Sequence, residues 1–265
     1  MGKRQNIPIA LTIAGSDSGG GAGLQADLKA FAALGVHGTT AVTCVTAQNP
    51  RKVFSIHPCP PATVRAQIEA LFAELPPAAV NTGMLFNAAT IRVVAEFFRK
   101  GNRPPLVVDP VMVATSGARL LTQTAVHLYQ RELLPLATLM TPNLDEAEIL
   151  SERKLRSIKD LREAARAMQS RYGCAVLLKG GHLKSLPDAV DVFWDGRRES
   201  LLSAPFVRGI STHGTGCTYS AAIAAYLAHG RTLPEAVRRA KAHITQAIAR
   251  SVKTAGHDVL NNFWK

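Results

Sequence analysis

A glycine turn followed by a cysteine is the segment of this chain best suited to chemistry. Residues 211–218 read STHGTGCT and lead into an alanine-rich helix. The two glycines leave backbone N–H groups unpaired at the positive end of the helix dipole, which predicts an anion site. Cys217 lies in the first turn, where a thiol is expected to have a lowered pKa and to form thiolate near neutral pH. The other interpretation, a small buried cysteine behind a turn, explains Cys44 and Cys174 better than it explains Cys217.

A second glycine-rich segment, residues 15–23 (GSDSGGGAG), lies between a predicted strand and a predicted helix. Its G-x-G-x-x-A pattern at 21–26 meets the loose dinucleotide fingerprint, but that fingerprint also needs an acidic residue about 20 positions on. After Asp27 the next acidic residue is Glu69, so a nicotinamide cofactor is disfavoured, and no Walker A motif exists. The glycines instead permit close approach of the backbone to a ligand. Asp17 suits an Asx-turn, whereas Asp27 suits either the helix dipole or a ligand contact.

Polar side chains also follow two later strands. Asn143 and Glu146 lie one helical turn apart, and together an amide and a carboxylate can hold a hydrated Mg²⁺ near phosphates. The same spacing is typical of a helix cap, and both interpretations stay open. Asp109 follows an apolar strand and suits a metal ligand, a substrate ligand or a turn. The eight histidines show no spacing typical of a zinc site.

Short β-branched runs alternate with amphipathic stretches along the whole chain, and they place these motifs. Strands are predicted at 9–14, 39–46, 53–56, 80–84, 106–108, 137–140, 175–178 and, as an antiparallel pair turning at 195–196, at 189–194 and 199–206. Helices are predicted at 24–34, 61–75, 88–98, 118–134, 144–150, 159–171, 215–227 and 234–252. This alternation predicts a single α/β domain over 1–265, with a mostly parallel sheet and helices on both faces. Ligands of such sheets bind at the carboxyl ends of the strands, where the motifs lie.

The composition of the chain excludes or disfavours several classes of protein. The 265 residues are 47% hydrophobic and 19% charged, which excludes intrinsic disorder. No apolar run approaches the roughly 20 residues of a membrane span, and the N-terminus lacks the pattern of a signal peptide. Four cysteines without a C-x-x-C pair favour a reduced, cytoplasmic protein. The net charge of +12 favours anionic partners, but the scattered basic residues predict a solvated surface rather than a nucleic-acid site.

Taken together, the motifs resemble the ribokinase-like kinases of vitamin pathways, above all the hydroxymethylpyrimidine/phosphomethylpyrimidine kinases of thiamine biosynthesis. The resemblance runs along nearly the whole chain and rests on AGSDSGGGAGLQADLK at 14–29, TAQN at 46–49, TGM at 82–84, VDPVM at 108–112, TPNL-x-EA at 141–147, KGGH at 179–182 and THGTGCT at 212–218. It implies a three-layer ribokinase-like fold and transfer of a phosphoryl group from ATP to a hydroxymethyl group, and then to the resulting monophosphate.

The resemblance also implies roles for individual residues. The substrate pocket would be lined by Gly15, Gly23, Asp27, Gln48, Met84 and Val111, with Gln48 bonding the aminopyrimidine. Asp109 and Glu146 would serve Mg²⁺. Contacts to ATP and its phosphates would come from Thr141, Asn143, Lys179 and Thr215. Gly214 to Gly216 would form the anion hole, and Cys217 stands where ribokinase itself carries an aspartate base.

Three alternatives remain at this level. Pyridoxal (or pyridoxine) kinase shares the fold, although Gln48 suits an aminopyrimidine edge better. A cysteine hydrolase would leave the Mg²⁺-type residues unexplained, and a nucleic-acid binder rests on charge alone. Thr115, where the family commonly has lysine, and the tail at 256–261 depart from the family pattern. We expect ATP and Mg²⁺ as cofactors, an aminopyrimidine alcohol and its phosphate as substrates, no nucleic-acid or membrane partner, and a homodimer.

Overall fold

The computed structural model describes residues 6–101, 103–112, 121–181, 183, 187–207, 209 and 213–264. Four residues singled out in the sequence, Thr115, His182, Ser211 and Thr212, lie outside these ranges, as does the start of the helix predicted at 118.

Within these described residues, nine strands form one continuous sheet. In chain order they are β1 (Ile9–Asp17), β2 (His37–Asn49), β3 (Lys52–Pro58), β4 (Ala79–Thr82), β5 (Leu106–Val108), β6 (Leu139–Met140), β7 (Ala175–Leu178), β8 (Asp188–Trp194) and β9 (Glu199–Pro205). Their order across the sheet is β3-β2-β1-β4-β5-β6-β7-β8-β9. The six strands from β2 to β7 in this order pair in parallel. The pairs β2–β3, β7–β8 and β8–β9 at the two edges are antiparallel. The predicted mostly parallel sheet and the 195–196 hairpin are confirmed.

In the part of the chain that the structure describes, eight α-helices cover the two faces of the sheet. They are α1 (Gly23–Ala33), α2 (Pro61–Glu74), α3 (Ala88–Arg99), α4 (Gln123–Leu128), α5 (Leu144–Ser151), α6 (Ile158–Tyr172), α7 (Thr215–Ala228) and α8 (Leu233–Ala249). Alternate residues of β1 point to opposite faces: Leu11 and Ile13 pack into the apolar cluster beneath α2 to α6, whereas Ala10 packs beneath α1, α7 and α8. Each fully buried Leu or Ile contributes about 1.5–3 kcal/mol. The predicted three-layer α/β fold is confirmed.

Two predicted helices end differently from expectation. The helix predicted over 118–134 is α-helical, within the described residues, only from Gln123 to Leu128. A π-helical turn (Tyr129–Leu133) and a 3-10 turn (Leu134–Leu136) follow, because Pro135 cannot donate the next helical hydrogen bond.

The helix predicted to reach 252 ends at Ala249. The chain then forms an antiparallel hairpin of β10 (Val252–Thr254) and β11 (His257–Val259). Both turn residues, Ala255 and Gly256, have positive φ, which is the geometry that a two-residue hairpin requires. An alanine at such a position carries no sequence signal, so this hairpin was missed.

Helix α7 begins without a side-chain cap, as do α1, α2 and α8. Asn87, Thr122, Asn143 and Ser157 each accept a hydrogen bond at the start of α3, α4, α5 and α6. Helix α7 begins instead at Gly214, with φ of 79° and no side-chain cap. The positive end of this helix is therefore left for a ligand to approach.

Candidate active site

A cavity of about 490 Å³ opens at the carboxyl ends of the parallel strands, which is an ordinary size for a small-molecule site. It brings together nearly all of the sequence-predicted site residues: Gly15, Gly23, Asp27, Gln48, Met84, Asp109, Val111, Asn143, Glu146, Lys179, Gly214, Thr215, Gly216 and Cys217. These come from ten separate strands, helices and turns. The fold rule that placed ligands at the strand ends therefore located the cavity correctly.

The start of α7 forms part of the cavity wall. The amide of Thr218 donates the first intrahelical hydrogen bond, to the Gly214 carbonyl at 2.9 Å, so the Gly216 and Cys217 amides precede the helical ladder. A Cβ on Gly214 would overlap the carbonyl oxygen of Gly21, and φ there is positive, so the position requires glycine. The two glycine-rich segments thus pack directly against each other at the predicted anion site.

Lys179 supplies a cation beside these amides. Its Nζ lies 2.8 Å from Asp109 Oδ1, and its side chain is only 13% exposed. A Cβ built on Gly216 would lie 3.2 Å from the same Nζ, which places the ammonium against the first turn of α7. Although burial by itself would lower the pKa of Lys179, the charges of Asp109 and Glu146 raise it, so the side chain is a cation. An anionic group at α7 would meet both the amides and this charge.

Thr141 does not line the cavity. It is 1% exposed, and its hydroxyl donates to Asp109 Oδ1 at 2.9 Å. The Tyr129 hydroxyl donates to the Asp109 carbonyl at 3.3 Å from the π-helical turn. The structure therefore places Thr141 behind Asp109, where it orients that carboxylate.

Glu146 completes the cap of α5 that the sequence left open. Its Oε2 accepts the Asn143 amide at 2.9 Å, and Asn143 Oδ1 accepts the Glu146 amide at 2.9 Å. Burial, reinforced by the charge of Asp109, raises the pKa of the Glu146 carboxyl to about 8. Two buried carboxyl groups thus lie beside one ammonium, Lys179, and the cluster has a deficit of positive charge once Glu146 loses its proton.

Asp27 is a buried carboxyl with incomplete hydrogen bonding. The Thr12 hydroxyl and the Asn81 amide group donate to its Oδ2 at 2.5 and 3.2 Å. Its Oδ1 has no partner among the described residues, yet Asp27 lines the cavity. Burial raises the pKa of this carboxyl to about 7. The group therefore offers a ligand either a proton or a negative charge near neutral pH.

The raised pKa of Asp27 predicts a pH-dependent stability. Below about pH 4 the carboxyl is protonated in both states, whereas above it the unfolded chain ionises first and folding loses stability until about pH 7. Relative to Asp27→Asn, the parent should lose on the order of 4 kcal/mol of unfolding free energy across this range in urea titrations.

Asp160, on the surface, provides a control for which the pH dependence of stability has the opposite sign. Hydrogen bonds from Arg156 and Ser157 lower the pKa of Asp160, so Asp160→Asn should lose stability relative to the parent as pH rises toward about 4, and the difference should stay constant above that pH. A stability difference between the parent and Asp27→Asn that stays constant from pH 4 to 8 would refute the raised pKa.

The expected low pKa of Cys217 is wrong. Burial raises the pKa of this thiol strongly, and the charges of Asp27 and Asp109 raise it further. The hydrogen bond that its sulfur accepts from the Gly23 amide and the charge of Lys179 only partly oppose this effect. The helix dipole was a correct local argument, but tertiary burial beside two carboxyl groups outweighs it. In the ligand-free protein Cys217 is a thiol.

Sequence reasoning missed the far end of the cavity. Asp191, Tyr219 and Lys241 line it there, together with apolar side chains of β9 and α8. Lys241 Nζ lies 2.7 Å from Asp191 Oδ2, and Asp191 Oδ1 accepts the Gly180 amide at 3.1 Å. These residues come from three separate elements and form no local motif, so only the folded topology brings them together.

Elsewhere in the cavity, Gln48 lies near the end of β2 and pairs with Val53, next to a β-bulge at Phe54 of β3. Its backbone exchanges hydrogen bonds with the Ser18 hydroxyl, at 2.8 Å through the amide and 2.7 Å through the carbonyl. The side chain is half-buried rather than buried, so a ligand must complete its burial.

Known proteins with similar sequences and structures agree with this geometry. The family model for phosphomethylpyrimidine kinase matches residues 17–261. A hydroxymethylpyrimidine/phosphomethylpyrimidine kinase of Synechococcus elongatus is 45% identical over 263 residues, which are 97% of this chain and 98% of that protein. A thiamine biosynthesis bifunctional protein of Geobacter sulfurreducens is 47% identical over 95% of this chain, and the chain spans 51% of its length.

A solved structure of another kinase, determined with its ligands bound, is also similar to this chain. A pyridoxal kinase of Staphylococcus aureus, in complex with AMP-PCP and pyridoxal, superposes with a TM-score of 0.86 at 34% identity, covering 97% of this chain and 94% of that one. Among the residues that the structure describes, no helix has both the length and the apolar character needed to cross a membrane.

Proposed function

The chain belongs to the phosphomethylpyrimidine kinase family, and we propose how its cavity performs the two phosphorylations of that family. It is an ATP-dependent kinase of thiamine biosynthesis. The acceptors are 4-amino-5-hydroxymethyl-2-methylpyrimidine and then its monophosphate, which becomes the diphosphate. The observation that carries the proposal is that one cavity is lined by Lys179, Asp109 and the start of α7 together with Gln48 and Lys241.

Phosphoryl transfer requires positioning and charge neutralisation more than covalent chemistry. The amides of Gly214 to Gly216 and the Lys179 ammonium meet the transferred phosphoryl group in this proposal. The remainder of ATP extends toward the end of the cavity lined by Asp191, Tyr219 and Lys241, with Asn143 and Thr215 beside the phosphates. Thr141 acts through Asp109 rather than by touching ATP. Use of ATP is supported by the AMP-PCP complex of the related pyridoxal kinase.

Mg²⁺ fits the carboxyl cluster. Asp109 and Glu146 are 3% and 2% exposed and lie beside one ammonium, so a divalent cation would balance the second carboxylate once Glu146 is ionised. The described residues contain no group of three histidine, cysteine or acidic ligands, which is compatible with Mg²⁺ because this ion takes one or two carboxylates plus phosphates and waters. Asp109 and Glu146 would hold the ion, which when bound neutralises phosphate charge. Glu146 must lose its proton for this role.

The acceptor occupies the end of the cavity formed by Gly15, Gln48, Met84 and Val111. The Gln48 amide reads the aminopyrimidine edge, and Met84 and Val111 pack against the ring. Gly23 and Asp27 lie beneath the hydroxymethyl group, beside Cys217, whose sulfur accepts the Gly23 amide. In the complete complex the Cys217 thiol first loses its proton to solvent, which the charge of Lys179 favours, and the thiolate then takes the hydroxyl proton as the base. A single domain, a homodimer and a cytoplasmic location stay predictions; the continuous nine-stranded sheet supports the first.

The order of products tests the proposed function. Purified protein is incubated with ATP, Mg²⁺ and the aminopyrimidine alcohol, and ³¹P NMR follows the products with time. We expect the monophosphate to appear first and the diphosphate to follow from it. Release of ADP without either phosphate ester would contradict the proposal.

Gln48→Met tests the acceptor end specifically. The change keeps the side-chain volume but removes the amide, so the aminopyrimidine edge loses its partner. We expect kcat/KM for the aminopyrimidine alcohol to fall about 100-fold, because an unpaired buried polar group costs roughly 1–3 kcal/mol, while activity on pyridoxal is kept or rises. The measurement is the ratio of kcat/KM for the two acceptors.

Gln123→Met, on the exposed start of α4, is the matched control and should leave the ratio unchanged. The same ratio in Gln48→Met as in the parent would remove Gln48 from substrate selection.

A further inference from the structure

Asp17 is a buried carboxylate at the end of β1 that accepts hydrogen bonds from several segments. Its Oδ1 accepts the Gly19 amide at 2.7 Å, and its Oδ2 accepts the amides of Gly21 and Ala22 at 3.1 and 2.8 Å. The side chain is 3% exposed. The Asx-turn expected from the sequence accounts for the Gly19 contact alone.

One further contact connects Asp17 to the anion hole. Nε2 of His213 lies 3.2 Å from Asp17 Oδ2 and donates to it. His213 directly precedes Gly214, and the Gly21 carbonyl is packed against Gly214 so closely that no Cβ fits. The amides that Asp17 holds and the amides at the start of α7 therefore form one packed unit.

A second set of contacts connects the same loop to the acceptor end. Ser18, next to Asp17, exchanges two hydrogen bonds with the Gln48 backbone, and a Cβ on Gly19 would lie 3.6 Å from the Gln48 carbonyl. Burial by itself would raise the pKa of Asp17, but hydrogen bonds from His213, Ala22, Gly19 and the Gln48 side chain hold it at about 2. Asp17 is thus an anion throughout the working range of pH.

We propose that Asp17 is a positioning residue that couples the acceptor end of the cavity to the anion hole. When a substrate ring orders Gln48, the loop at 18–22 is fixed, and Asp17 transmits this order to His213 and Gly214. The inference rests on the proposed function in taking Gln48 as the acceptor end and α7 as the phosphate end. Hydrogen bonds to a buried charge are strong enough to carry such coupling.

A double-mutant cycle separates coupling from a purely structural turn. Gln48→Ala, His213→Ala and the double variant are compared by kcat/KM. We expect the double variant to retain at least about threefold more activity than the product of the single losses, because both changes loosen one shared anchor. A structural turn alone would give losses that multiply, and this result would overturn the proposal.

Asp17→Asn tests the carboxylate itself. We expect kcat/KM to fall about 10- to 100-fold and the non-additivity between Gln48 and His213 to vanish in this background. The surface variant Asp160→Asn controls for loss of one negative charge and should retain the non-additivity. Persistence of the full coupling in Asp17→Asn would overturn the proposal. If Asp17→Asn fails to fold, the cycle in the parent decides alone.

The cycle uses whichever acceptor the parent phosphorylates faster, the aminopyrimidine alcohol or pyridoxal. A parent that phosphorylates pyridoxal alone contradicts the proposed substrate but still allows the coupling to be measured. A parent active on the aminopyrimidine whose variants show no coupling contradicts only the role of Asp17.

Discussion

Cys217→Ala is expected to lower kcat by about 10²- to 10⁴-fold while ATP still binds, which is the range for loss of a general base. The sulfur lies one residue beyond the Gly214–Gly216 turn, next to the acceptor end of the cavity, and accepts the Gly23 amide. In the proposed mechanism the sulfur, once deprotonated, takes the hydroxyl proton as the phosphoryl group transfers. Cys217→Ser should lose activity similarly, and Cys217→Asp should recover part of it.

The raised pKa of Cys217 also predicts how fast the thiol reacts with an alkylating reagent. Because the ligand-free thiol is protonated, alkylation by iodoacetamide should be slow at pH 7, faster toward alkaline pH, and slower again when the aminopyrimidine is bound. Cys59→Ala is the matched control, because Cys59 is half-buried but does not line the cavity. If the transition state for phosphoryl transfer is loose, the reaction depends less on a general base, and loss of Cys217 lowers kcat less. A Cys217→Ala enzyme within about threefold of the parent kcat would fall below the general-base range and reduce Cys217 to packing.

Gly214→Ala is expected to lower kcat by about 10²- to 10³-fold, the range for loss of a transition-state donor. A Cβ there meets the Gly21 carbonyl, and the positive φ is strained for alanine, so the start of α7 must shift. The shift moves the Gly216 and Cys217 amides away from the Lys179 ammonium. ATP binding and kcat are measured separately for this variant.

Gly230→Ala offers a matched control at the other end of α7. Its φ of 72° imposes the same backbone strain, but nothing lies within 4 Å of a Cβ there. It should lose about 1–2 kcal/mol of stability and retain kcat. Equal kcat values for Gly214→Ala and Gly230→Ala would show that crowding against Gly21 is irrelevant to catalysis.

The sequence was most informative where a local pattern has one structural solution. The Asp195-Gly196 turn predicted the β8–β9 hairpin, and period-2 and period-3.6 apolar patterns predicted the order of strands and helices. The rule that ligands bind at the carboxyl ends of parallel strands then placed Asp109, Lys179 and Cys217 together at one edge of the sheet. These placements need only local periodicity and topology.

Properties set by tertiary contacts were not predictable. The pKa of Cys217 depends on Asp27 and Asp109, which are distant in sequence, so the local dipole argument had the wrong sign. Lys241 and Asp191 meet across α8 and β8 and form no motif. Asp17 has the local sequence of a turn residue. Its hydrogen bond to His213 was not predictable, because the two residues are 196 positions apart in the chain.

The central claim concerns which acceptor this cavity selects, and one competition measurement tests it. The parent is given equal concentrations of 4-amino-5-hydroxymethyl-2-methylpyrimidine and pyridoxal with limiting ATP and Mg²⁺, and both phosphate esters are quantified at early times. The ratio of products gives the ratio of kcat/KM directly. We expect the aminopyrimidine to be preferred by at least about 100-fold, since Gln48 pairs with its edge. Equal use of the two acceptors, or a preference for pyridoxal, would contradict the account.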